Sequence, residues 1–518
     1  MDKSFNLVTI LFLLSCFHAN SVLCQEKQAI QEIKQEDIES ARKVRRVQLE
    51  DPHRPSWHIT IAEGIGMPFD PNGAIFKDGI YHLWHLYRYR ADGGYRWQHL
   101  SSIDLFHWRW HSNELQHHPG DPDTGIFSGN AFLAKDGNVV IAYHGLGTGG
   151  NCVAYSSDID LNNWKKAEAN PIAKPGWDPH MWLEGDTYYQ ISGGRPPILY
   201  KGDAYDQPME KLGKFMSHDM PGVDNFEDVS CPDFFMLDDK WVLICISHQR
   251  GARYYIGEWD GKQFKPESHH RMNWPGGTFF APETLVDDKG RRILWAWVLD
   301  RKKSGRCCEP PGSKKHHTGC GTMSIPRVLT LANDKLSLNI EPPKEVEKLR
   351  YSPASEKPFI VEEGQSVSLN NVQGNSLELD ITIDPGEAKR FGVKLFCSKD
   401  GQEQTPVIID REKGILQIDM RLSSVDKIAY REFAMMRNPN PVVETQEAPF
   451  EIEKREKVRL RIFLDKSMLE VFANGRQCVT QMIYPTLKDA IYVEVFAEDA
   501  PINVESIKAW KLFPAMQW

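Results

Sequence analysis

Short apolar and aromatic runs, broken by polar turns, organise most of this chain. Ala74-Ile75-Phe76, Gly79 to His85, Val139 to Tyr143, Thr187 to Ile191, Trp241 to Ile246 and Ile293 to Val298 are continuous or alternating stretches of strand length. Lys77-Asp78-Gly79, Lys135-Asp136-Gly137, Glu184-Gly185-Asp186, Asp238-Asp239-Lys240 and Asp287-Asp288-Lys289-Gly290 supply turns between them. A polar turn followed by an aromatic strand recurs with a period of roughly 45 to 55 residues, which suits propeller blades. The repeat is loose, and periodicity alone also fits a sandwich or a barrel.

Beyond residue 358 the strands lengthen and alternate more cleanly: Ser376 to Ile383, Gly392 to Phe396, Val458 to Leu464, Ser467 to Phe472 and Ile491 to Phe496. Asp400-Gly401 and Asn474-Gly475 are hairpin turns, and the pattern predicts an antiparallel β-sandwich. Glu341 to Leu349 has helix-compatible spacing and predicts a connector. The expected organisation is a first β-domain over 54–335, a linker over 336–357 and a sandwich over 358–518.

The N-terminus carries a different pattern. Lys3, an apolar run from Val8 to Leu14 and Val22-Leu23-Cys24 before Gln25 read as a signal peptide over 1–24. The run is too short to anchor the chain by spanning a bilayer. Leu13-Leu14-Ser15-Cys16 offers a second reading, a lipoprotein site that tethers the mature chain through Cys16. Both predict a secreted, periplasmic or cell-surface protein. Residues 25–53 form a charged arm, whose cluster Arg42-Lys43-Val44-Arg45-Arg46 reads as a solvated face.

Composition narrows the class. A chain of 518 residues exceeds one typical core, so two domains are expected. The 41% hydrophobic and 11% aromatic content describes a globular protein. A net charge of −9 argues against general nucleic-acid binding. Cys307, Cys308 and Cys320 are close enough to staple a loop in an oxidising compartment. With His316 and His317 nearby they still match no standard zinc spacing, so no metal is expected. The basic stretch Arg301 to Cys320 reads as an elongated loop able to meet an anionic or extended ligand.

Three motifs built on carboxylates carry the chemistry: Phe69-Asp70-Pro71-Asn72-Gly73, Trp177-Asp178-Pro179-His180 and Glu227-Asp228-Val229-Ser230-Cys231-Pro232-Asp233. Taken singly, Asp-Pro-Asn-Gly is a turn capped by its aspartate. Together they are what glycosidic hydrolysis needs, carboxylates brought from distant strands to one sugar.

Their order and surroundings resemble glycoside hydrolase family 32, the β-fructosidases. The resemblance extends through Trp97-Gln98-His99-Leu100-Ser101-Ser102-Ile103-Asp104, Gly125-Ile126-Phe127-Ser128-Gly129, Phe279-Phe280-Ala281-Pro282-Glu283-Thr284, Ile325-Pro326-Arg327 and Leu464-Asp465-Lys466-Ser467-Met468-Leu469-Glu470-Val471-Phe472. It covers residues 54 to 513 and implies a five-bladed β-propeller followed by a β-sandwich. It implies hydrolysis of a β-fructofuranoside with retention, without metal or organic cofactor. Fructosyl transfer and non-catalytic carbohydrate binding are the alternatives.

By position, Asp70 matches the nucleophile and Asp178 the carboxylate that binds hydroxyls and steadies the oxocarbenium charge. Asn72, Trp97, Phe127, Ser128 and Glu283 match the sugar-binding surroundings. Phe69, Leu86 and Trp177 replace the family's Asn, Gln and Arg. The largest departure is Ser230, which stands where the family carries its acid/base glutamate. A serine hydroxyl is too weak an acid for that task. Asp228 and Glu227 are the expected substitutes, and Glu283 a third. In a regular strand Asp228 shares the face of Ser230 and Glu227 points away; a bulge reverses this.

Overall fold

The computed structural model describes residues 50–60, 65–66, 69–89, 93–217, 220–300, 321–431 and 441–515, with a few helical positions between 35 and 46. The signal peptide, most of the charged arm and the 301–320 segment with its three cysteines lie outside the described residues. Among the described residues no helix is long and apolar enough to cross a membrane, and Cys152, Cys231, Cys245, Cys397 and Cys478 are free thiols.

Five antiparallel sheets form the propeller. Their innermost strands are Pro71–Lys77, Ile126–Leu133, Pro179–Glu184, Ser230–Leu237 and Phe279–Val286, each hairpin-paired to the strand that follows it. These five strands pack side by side in sequence order, and the last packs on the first, closing a ring. The polar turns predicted from sequence join each inner strand to its partner, at Asp78-Gly79, Asp136-Gly137, Gly185-Asp186, Asp238-Asp239 and Asp288-Lys289.

Ring closure uses the N-terminal segment. Thr60 bridges Thr322 in the fifth blade, and Met323 donates its backbone N–H to Ile59 at 2.9 Å. The fifth blade ends with Leu338–Glu341, which pairs with Arg327–Leu331. The expected boundary at 335 therefore falls inside this blade. The strand escapes a sequence reading because only Leu338 and Ile340 bury, too short an alternation to register. Lys344–Leu349 is a 3-10 helix, and Arg350–Glu356 already pairs with Ile502–Leu512, so the sandwich begins earlier than 358.

The sandwich packs a seven-stranded sheet, which includes Ser376–Asp384, Val458–Asp465 and Ile502–Leu512, on a six-stranded one that includes Arg390–Cys397 and Tyr492–Ala497. Alternating residues such as Leu379, Ile381, Val393, Leu395, Leu460 and Ile462 are fully buried between them. Two buried carboxylates of the sandwich bind the propeller. Asp465 accepts from the backbone of Ser56, Trp57 and His58, while Glu470 accepts from Ile325 N and pairs with Arg327 at 2.8 Å. The His58 ring lies between them, 2.9 Å from Asp465 and 3.2 Å from Glu470. The Asp-x-Ser-x-x-Glu segment is thus an interdomain clamp.

Four of the five inner strands share a register shift near their start, at Asn72/Ile75, Ile126/Gly129, Ser230/Asp233 and Phe280/Glu283. Gly73, Cys231 and Ala281 sit within these bulges at φ near +60°, +43° and +46°. A bulge kinks the strand and re-aims its side chains, here near the start of four of the five inner strands. A substitute for Gly73 is strained: an added Cβ would lie 3.0 Å from Trp97, on a left-handed backbone.

Candidate active site

The starts of the inner strands converge on the end of the propeller channel, and the predicted carboxylates stand there. Asp70 immediately precedes the first inner strand. Its backbone carbonyl accepts from Leu86 N and from the Asn72 side chain, and its Oδ2 accepts from the Ser128 hydroxyl at 3.1 Å. The side chain is buried, and Oδ1 has no hydrogen-bond partner. Burial, reinforced by the charge of Asp178, pushes its carboxyl up to about 7.

Asp178 immediately precedes the third inner strand, at φ +28°. Its Oδ2 accepts from Cys231 N at 3.3 Å, while Oδ1 is buried without a partner. Burial raises it to about 6. Buried polar atoms in proteins are almost always paired. Two carboxylate oxygens left orphaned at one channel mouth are acceptors held in readiness for a hydroxyl-bearing ligand or a reacting carbon.

The third motif divides in two. Glu227 is buried and turned away from the channel. Arg271 grips it with both guanidinium nitrogens, at 2.7 and 3.1 Å, and Arg253 lies 3.2 Å away. Burial works against its charge, but the two arginines outweigh it and hold the carboxyl at about 2. Glu227 is therefore a structural anion, which corrects its assignment as a possible acid. Val229 is fixed by reciprocal backbone bonds to Gly194, and Asp228 emerges on the site side. Its charge is felt at Asp178. Asp228 Oδ2 accepts from the Ser230 hydroxyl at 2.8 Å, and its carboxylate takes the backbone N–H of His248 at 3.0 Å and the ring Nδ1 at 2.6 Å. Burial opposes ionisation here too, but these donors hold Asp228 at about 2.

The expected binding residues separate by role. Ser128 touches Asp70 directly. Half-buried Phe127 faces Trp177, ring centroids 6.0 Å apart, and forms an aromatic edge of the site. Trp97 is a correction: it is fully buried in the core between blades, against Gly73, with its indole N–H on the Phe127 carbonyl. Asn72 is also internal, since its amide is spent on the Asp70 carbonyl and on Gly129 N at 2.9 Å. Glu283 lies further along the channel, where it accepts from Ala74 N and lines a cavity of about 380 Å³ with His180, Asp233 and Arg292. Burial and Asp233 raise its carboxyl well above the ordinary range. It stands beside Asp233 and hydrogen-bonds none of Asp70, Asp178 and Asp228.

Sequence reasoning missed His248. Its signal was available: Ser230 pairs with Ile246, so antiparallel register carries residue 248 alongside residue 228. Only the register across the hairpin, which the bulge obscures, reveals this.

The N-terminal domain model of glycosyl hydrolases family 32 matches residues 64–342, and the C-terminal domain model of that family matches residues 345–511. The chain belongs to glycosyl hydrolase family 32. It is 27% identical over 502 residues to a sucrose-6-phosphate hydrolase of Zymomonas mobilis subsp. mobilis, covering 88% of this chain and 92% of that one. It is 27% identical over 531 residues to a cell-wall β-fructofuranosidase of Pisum sativum, covering 84% and 90%. Fructan 1-exohydrolase IIa of Cichorium intybus shares the fold with a TM-score of 0.74, at 21% identity, over 90% of this chain and 98% of that chain.

Proposed function

We propose that this chain is a retaining glycoside hydrolase of sucrose-like or fructan β-fructofuranosides, with Asp70 as nucleophile and Asp178 as the transition-state partner. The observation that carries the assignment is the pair of buried carboxylates, each with an orphaned Oδ1, at the channel mouth. Asp70 is set for attack: Ser128 orients one oxygen, and the other is free to meet the anomeric carbon. Asp178 accepts ring hydroxyls and opposes the positive charge that grows as the glycosidic bond breaks. Phe127 and Trp177 offer apolar faces to the sugar.

The test is fructose release from sucrose and from inulin-type and levan-type fructans, with the anomer of the first product read by NMR. The expected result is β-fructofuranose, abolished by Asp70→Asn in a protein that melts like the wild type. Undiminished release by that variant refutes the nucleophile. We further propose that the chain is exported; fractionation of expressing cells, with the intact leader and with Cys16→Ser, checks this.

A further inference from the structure

Family membership leaves one role empty, because Ser230 occupies the place of the acid/base glutamate. Three candidates surround it. The serine hydroxyl is too weak an acid. Asp228 is tied to three donors, the Ser230 hydroxyl and the backbone and ring nitrogens of His248, and so is kept ionised with no proton to give. The third is the histidine itself.

His248 follows the second strand of the fourth blade, Lys240–Ser247. Its backbone and Nδ1 both bind Asp228, which fixes the ring as firmly as an aspartate fixes the base of a catalytic triad. Phe280, from the fifth blade, meets the ring edge-on, at 68° with centroids 5.9 Å apart. Among the described residues Nε2 has no protein partner, and the side chain remains partly exposed, at 16%. The charge of the ring is felt at both Asp70 and Asp178. The ring thus lies within electrostatic reach of the two carboxylates, with one nitrogen committed and the other open.

We propose that His248 is the general acid/base of this enzyme, acting through Nε2, with Asp228 as its positioning residue. The assignment rests on the fructosidase reading above. In the first step an Asp70 oxygen bonds to the anomeric carbon as the glycosidic C–O bond breaks. The bonding pair passes to the leaving oxygen, which takes the Nε2 proton. In the second step neutral His248 removes a proton from water, whose oxygen bonds to the anomeric carbon, and the ester bond to Asp70 breaks to return its carboxylate. Nδ1–H stays on Asp228 throughout, so the proton that moves is always the one on Nε2.

The groups facing the ring agree with this role. Among the described residues, Asp228 comes from its own blade, Asp178 from the third and Asp70 from the first, while the fifth contributes Phe280. Burial disfavours the imidazolium, but these carboxylates outweigh it and raise the ring above its ordinary 6.5.

Two substrates separate this proposal from its alternatives. Sucrose needs a protonated leaving group, whereas β-fructosyl fluoride expels fluoride without one. His248→Gln is expected to lose about 10²–10⁴-fold in kcat/KM on sucrose. Its loss on the fluoride should be at least an order of magnitude smaller, which also shows the variant to be folded and Asp70 intact. The alkaline limb of the sucrose pH profile should vanish with the histidine. A variant that hydrolyses sucrose near the wild-type rate overturns the assignment, as does an equal loss on both substrates. Wild-type protein inert towards both substrates would instead refute the fructosidase reading itself.

Discussion

Trp177 donates its indole N–H to the Ser230 hydroxyl at 3.0 Å, joining the two positions where family 32 carries arginine and glutamate. Ser230 passes the contact on to Asp228, and Asp228 to His248. The two departures are therefore one rearrangement. The two positions are linked by a hydrogen bond between neutral groups, and the ionic pair Asp228–His248 stands beside it.

This coupling is measurable. Trp177→Phe and Ser230→Ala each break the chain of bonds at the same link, so their effects on kcat/KM should be non-additive. A coupling of about 0.5–1.5 kcal/mol is expected for one hydrogen bond in a double-mutant cycle. Strict additivity would show that the two side chains act independently.

Glu227 and Asp228 should respond oppositely to neutralisation. Glu227→Gln leaves Arg253 and Arg271 without their buried anion, a loss of about 3–5 kcal/mol in stability, with activity per folded molecule preserved. Because its carboxyl is depressed to about 2, its stabilisation is complete above the ordinary 4.5 and disappears as pH falls towards 2. Asp228→Asn should melt much nearer the wild type and lose turnover on sucrose. Chemical denaturation alongside initial rates distinguishes the two.

Asp70 must be ionised to attack, and its carboxyl is raised to about 7 by burial and by Asp178. The acid limb of kcat/KM is therefore expected near neutrality, activity falling as pH drops through it. Asp178→Asn removes the repulsion and should move that limb to lower pH while reducing the rate. A limb that stays in place would mean that Asp178 does not act on Asp70.

The interdomain clamp makes its own pH prediction. Burial opposes charge on His58, but Asp465 and Glu470 outweigh it and raise the ring above 6.5. Its stabilisation is thus fully present below pH 6.5 and is lost as pH rises through the raised value. The difference in Tm between wild type and His58→Gln should shrink progressively above neutrality. A constant difference would argue for a neutral ring.

The sequence made the architecture legible where strands were long and turns polar, as at Lys77-Asp78-Gly79 and Asp238-Asp239-Lys240. Asp70 and Asp178 were legible because each opens an inner strand beside a proline, a local pattern. Trp97 was misplaced because a tryptophan at a propeller strand has the same composition whether it packs inward or meets a sugar. Its position against Gly73 decides the matter. Glu227 and Asp228 could not be separated without knowing where the strand becomes regular. His248 was missed because its partner lies across a hairpin whose register shifts by the bulge at Ser230/Asp233.

The N-terminal segment has partners in the fifth blade and at the far end of the chain. Ile59 and Thr60 bind Met323 and Thr322, Ser56 to His58 bind Asp465, and the Ser56 carbonyl accepts from Ala515 N. A ribosome makes the Asp465 and Ala515 contacts available last. Trp57 and His58 must therefore wait for Asp465 while all five blades are synthesised, although Ile59 and Thr60 can close the ring once residues 322 and 323 exist. Nascent chains stalled before residue 465 should leave Trp57 open to quencher and to protease. Those released after residue 515 should protect it in one step, so that the order of synthesis, rather than local strand strength, times the maturation of the molecule.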